Sequence, residues 1–137
     1  MHGNKYSISP YGSWPTESHS RWIRAGNAFG AHFTESVRDH AVELAQKDGI
    51  PEEHAIKVVD TTLYALMAFL DGVYGYRDID DHHWMNYVLQ ANVMEKSSSQ
   101  VVETFELAPD GDGLGMGLAG WLQGDFGQNQ APKDLAS

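Results

Sequence analysis

Seven residues in the first half of the chain, Lys47-Asp48-Gly49-Ile50-Pro51-Glu52-Glu53, read as the end of one helix and the start of another. Gly49 can take the left-handed conformation that closes a helix, and Pro51 is preorganised for a first helical turn. Glu52 and Glu53 then complement the positive end of the new helix dipole. On the N-terminal side, Trp22, Gly26, Phe29, Phe33, Val37, Ala41 and Leu44 recur at steps of three or four. That spacing predicts one apolar stripe over residues 17–48, carried by one long helix or by two broken near Gly30, with Thr34 as cap of the second. Gly26 and Gly30, four apart on the stripe, would let another backbone approach closely. On the C-terminal side, Ile56, Val59, Leu63, Leu66, Met67 and Leu70 predict a core helix over residues 51–70, with Lys57, Asp60 and Tyr64 on another face.

After Asp71-Gly72 the periodicity changes. Residues 73–81, rich in aromatics and aspartate, read as a loop. Tyr87, Leu89, Ala91 and Val93 then alternate with partly polar neighbours, so residues 84–94 and the Val-, Thr- and Phe-rich run 101–107 predict a β-hairpin joined by a polar connection. Two strands are marginal in water, so the hairpin must pack on the helices, recruit a strand from the N-terminal arm, or pair across a dimer. A short amphipathic helix is expected over residues 114–122. The fold class is therefore α+β, in one domain over residues 1–127. Residues 1–15, with Tyr6, Ile8, Tyr11 and Trp14, form an aromatic N-terminal arm, and residues 128–137 form a disordered tail.

A chain of 137 residues can bury enough surface to persist without disulfides or structural metal. It has no cysteine, which excludes thiol nucleophiles, zinc-thiolate sites and iron–sulfur clusters. The opening residues lack an apolar signal region, and the longest apolar-rich run, 63–70, is about half of what a bilayer span needs, so a cytoplasmic location is expected. Net charge is −10, and its distribution is uneven. Residues 1–48 hold five basic and five acidic side chains, whereas residues 49–137 hold four basic and fourteen acidic ones. Such a field repels nucleic-acid phosphates and anionic lipid heads, which argues against both as partners, and attracts a basic protein or a cation.

Four groups of residues invite chemistry. Gly115-Met116-Gly117-Leu118-Ala119-Gly120 matches G-x-G-x-x-G, but only seventeen residues follow it, too few for the second strand and acidic residue of a dinucleotide site. Turn formation is the simpler role. Asp110-Gly111-Asp112-Gly113 resembles the opening of a calcium loop, yet Leu114 and Trp121 stand where oxygen ligands are required, so an acidic turn is expected. Asp78, Asp80, Asp81, His82 and His83, with Asp71 nearby, form the densest set of potential metal ligands; Asp71, Asp78, Asp80, His82 and His83 could hold a divalent ion that activates water. Their spacing is not that of a known motif. Arg21, Arg24 and Arg38 could bind an anion with His32, His40 and His54 nearby, but pairing with the abundant carboxylates is the simpler account. No nucleophile elbow, Walker loop or S-x-x-K motif occurs.

The leading expectation is a non-catalytic binding protein without a cofactor, of the inhibitor or immunity type, that engages a basic protein partner. Charge would speed encounter, and Tyr74, Tyr76 and Trp84 beside Asp78, Asp80 and Asp81 would anchor the interface. The alternatives are a small metal-dependent hydrolase using residues 78–83, and a homodimer built by the arm and the hairpin.

Overall fold

Helix α1 (Ser18–Phe33) begins where Glu17 turns its side chain back over the first turn, accepting from the backbone N–H of His19 and Ser20 at 3.1 and 2.9 Å and from Ser20 Oγ at 2.8 Å. These bonds, led by the Ser20 hydroxyl, hold the Glu17 carboxyl below its ordinary range. The computed structural model describes residues 13–107 and 113–127. Tyr6, Ile8 and Tyr11 of the expected arm, Asp110 and Asp112 of the expected acidic turn, and the tail 128–137 lie outside the described residues.

Of the two alternatives for residues 17–48, a break near Gly30 does not occur. Helix α1 runs through a π-helical turn (Thr34–Arg38) directly into α2 (Asp39–Lys47). Thr34 does not cap a second helix: its backbone stays helical, and its Oγ1 is buried without a hydrogen-bond partner among the described residues. A π turn adds one residue to the helical repeat and so advances the inward face by one position. Phe29 and Phe33 still pack on the core, but Val37 on the turn and Leu44 beyond it are exposed, while Val42 is buried. Arg38, on the π turn, reaches across to Asp60 of α3 (Glu52–Leu70) with two bonds of 2.8 and 3.1 Å, which raise its pKa above the usual guanidinium value.

Helices α2 and α3 end alike. Gly49 has φ +89°, and the N–H groups of Gly49 and Ile50 donate to the carbonyls of Gln46 and Ala45. Gly72 has φ +79°, and those of Gly72 and Val73 donate to Phe69 and Ala68. Both are the paired closure that needs a left-handed residue, which glycine supplies without strain. Pro51 stands as the N-cap of α3, one position before its first helical residue, and its carbonyl accepts from Ala55 N–H at 2.9 Å.

The strand expected over residues 84–94 is divided between two small antiparallel sheets. Trp84 and Met85 form β2, paired with β1 (Arg77–Asp78) in the stretch expected to be all loop. Strand β3 (Gln90–Met94) pairs with β4 (Val101–Glu106), with an irregularity after Val93. Their connection turns on Ser99, whose φ is +56°. One face of β3–β4 meets the helices through Ala91, Val93 and Phe105, and Arg21 clasps Glu103 at 2.7 Å while Trp22 Nε1 donates to the Glu106 carbonyl at 2.9 Å.

Helix α4 (Leu114–Trp121) closes the core with Leu114, Leu118 and Trp121, all buried with Leu63 and Met67 of α3. The Trp121 ring fills a slot lined by two glycines. A Cβ on Gly30 would overlap the indole, and one on Gly117 would stand 2.7 Å from it. Its Nε1–H donates to Asn27 Oδ1 at 3.0 Å, and Phe29 meets it edge-on at 5.7 Å. The backbone approach expected at Gly26 and Gly30 is not what fills the space: a side chain, that of Trp121, meets Gly30, and nothing among the described residues lies within 4 Å of a Cβ on Gly26.

Candidate functional site

The ordered end of α3 sets the direction of the segment that follows. Tyr76 folds back over Gly72, whose Cβ, if present, would meet the phenol at 3.0 Å. Gly75, with φ +84°, turns the chain into β1, and the register Arg77↔Met85 and Asp78↔Trp84 fixes a short hairpin. Trp84 lies beside Tyr76 with ring centroids 4.7 Å apart, so the aromatic pair braces the base of β1–β2. Two residues on from β2, Phe69 of α3 stacks on Tyr87 at 4.9 Å.

The hairpin tip is organised by Asp80. Its Oδ1 accepts from His82 N–H at 2.8 Å, and its two oxygens lie 2.7 and 2.9 Å from His83 Nδ1. The His82 N–H and then the His83 ring favour the charged carboxylate, which holds Asp80 below the ordinary aspartate range. Across the base of the loop, Ile79 N–H donates to the His83 carbonyl at 2.9 Å. Asp78, Asp80, Asp81, His82 and His83 are all exposed.

Of the residues named from the sequence, the hairpin brings together Tyr76, Asp78, Asp80, Asp81, His82, His83 and Trp84, with Tyr74 exposed in the turn before it. Asp71 does not join them. Its carboxylate accepts from Leu114 N–H at 3.3 Å and Gly115 N–H at 2.7 Å, where it caps α4 from 43 residues away. The first glycine of G-x-G-x-x-G thus already serves a carboxylate. Among the described residues, no three His, Asp or Glu side chains converge as a metal site.

The arginines are likewise committed within the fold. Arg21 pairs with Glu103 and also donates to the Thr16 carbonyl at 2.6 Å, Arg24 donates to the Ser13 carbonyl, and Arg38 pairs with Asp60. Phe69 and Tyr87 were missed by sequence reasoning. Phe69 falls off the buried stripe of α3, which was the signal that could have found it. No helix among the described residues is long and apolar enough to cross a membrane. No protein-family model matches the chain, and no curated protein or solved structure shows significant similarity to it.

Proposed function

We propose that the protein is a non-catalytic binding protein whose β1–β2 hairpin engages a basic protein partner. One observation carries the reading: the hairpin and the turn before it hold Tyr74, Tyr76 and Trp84 at 67, 56 and 58 % exposure beside Asp78, Asp80 and Asp81. Exposed aromatics cost a lone chain their hydration, yet they are the residues that anchor interfaces once a partner desolvates them. Flanking carboxylates accelerate encounter with a positive surface and select against a negative one. The bonds from His82 N–H and the His83 ring to Asp80 brace the loop before binding, which lowers its ordering cost.

The test is affinity capture with the full chain at low salt, followed by kinetics with the captured protein. The triple substitution Asp78→Asn, Asp80→Asn and Asp81→Asn is expected to slow association about tenfold and flatten its salt dependence, while Trp84→Ala raises the dissociation rate. Unchanged kinetics in both variants would refute the reading.

A further inference from the structure

The register of β1–β2 sets a carboxylate and an indole side by side. Asp78 stands directly opposite Trp84, and the bond from Ile79 N–H to the His83 carbonyl makes the next pair along the hydrogen-bonded one. Asp78 and Trp84 therefore hold a non-hydrogen-bonded position, where facing side chains approach most closely, with Cβ atoms roughly 4.5–5.5 Å apart. Both line one open cleft at the hairpin tip. Tyr76 lies against the Trp84 ring, which still stays more than half exposed. The Asp78 carboxylate, unlike those of Asp71 and Asp80, has no hydrogen-bond or ion-pair partner among the described residues. Arg77 does not supply one, because it alternates to the opposite face of the hairpin with Met85.

We infer that this cross-strand pair receives an arginine side chain of the partner, its guanidinium plane laid on the Trp84 ring and its edge donating to Asp78. The inference rests on the hairpin being the surface for a basic partner, and it adds which basic residue that surface selects. Charge complementarity calls for a cation, since Asp80 and Asp81 line the same cleft in a chain of net charge −10. Asp80 is already held by the His82 N–H and the His83 ring, which makes Asp78 rather than Asp80 the acceptor. Geometry then selects among cations. A guanidinium is planar, weakly hydrated and edged with N–H donors, so it can stack on an indole and form two parallel bonds to a carboxylate at once. Tryptophan is also the ring that attracts a cation most strongly. A lysine ammonium is a compact, strongly hydrated point charge with no plane to stack and no paired edge for two parallel bonds.

The test follows the Trp84 Nε1–H resonance of the full chain by nuclear magnetic resonance, identified by its loss in Trp84→Phe, as an end-blocked Gly-Arg-Gly or Gly-Lys-Gly peptide is added. The arginine peptide is expected to move the resonance with a midpoint at about fivefold lower concentration than the lysine peptide. Asp78→Asn should abolish that preference, whereas Asp48→Asn, which removes the same charge at the end of α2, should keep it. The Trp121 Nε1–H resonance, bonded to Asn27 in the core, reports in each variant that the fold is intact. A Trp84 resonance that the arginine peptide does not move overturns the proposal. So do equal midpoints for the two peptides, or a preference that persists in Asp78→Asn. None of these results refutes a basic partner, which is judged by the association kinetics of the captured protein, and unchanged kinetics there would remove the surface itself.

Discussion

Trp121 and Trp84 are the same side chain in opposite surroundings. Trp121 is buried between Gly30 and Gly117, with its N–H bonded to Asn27 and the edge of Phe29 against it. Trp84 has one aromatic neighbour among the described residues, Tyr76, and is 58 % exposed. The first region is shaped around its tryptophan to the point that two positions allow no side chain. The second leaves its tryptophan free to be covered by something else. Burial is concentrated around α1, α3 and α4, and the β1–β2 segment contributes no residue to that core.

The sharpest way to break the comparison is to truncate both tryptophans. Trp121→Ala should cost about 3–5 kcal/mol of stability in urea unfolding, from lost burial and the cavity left behind. Trp84→Ala should cost less than about 1 kcal/mol, the scale of one exposed aromatic pair. Equal losses would mean that the hairpin belongs to the core after all.

The two helical glycines sharpen the same contrast. Alanine is favoured over glycine by about 1 kcal/mol inside a helix, so Gly26→Ala, which meets nothing, should stabilise by about that much. Gly30→Ala must displace the indole and should destabilise by about 1–3 kcal/mol. Thermal unfolding of the two variants should therefore shift in opposite directions. A gain at both positions would show that Trp121 can leave its slot without cost.

These contacts also show which parts of the molecule were legible in the sequence. The boundary at residues 47–53 was readable because both of its ends are encoded in residue types at adjacent positions: a left-handed glycine, a proline, and two acids. The π turn was not, since no residue type demands it and its effect is a one-position shift of the inward face that moves Val37 and Leu44 outward. Strand β1 has two residues, too few to show an alternation. At the candidate site, the aspartates and histidines of residues 78–83 stood out by density. Asp71 looked equivalent to them, because its bond to α4 depends on how the chain returns 43 residues later.

Asp71 accordingly offers a middle-sized test. Asp71→Ala removes the acceptor for two N–H groups of α4 and should cost about 0.5–2 kcal/mol, the range of a lost helix cap. Because α4 also carries Trp121, the two losses share an element and should not add: in a Trp121→Ala background, Asp71→Ala should cost less than it does alone. Additive losses in urea titrations of the four-member cycle would mean that capping and docking of α4 are independent.

The smallest effect lies at the hairpin tip. Asp80 is held below the ordinary aspartate range by the His82 N–H and the His83 ring, so its charged form is the one that closes the loop. The sign follows from that direction. Closure is complete above the unfolded aspartate value of about 3.9 and is lost as the pH falls through the lower folded value. The His82 amide resonance, followed by nuclear magnetic resonance between pH 6 and 2, should therefore move with a midpoint below that of an ordinary aspartate. In Asp80→Asn the acid-dependent movement should disappear. The side chain is exposed, so the melting temperature should not follow this transition, and a coincident loss of core resonances would show that the hairpin and the helical core unfold as one unit.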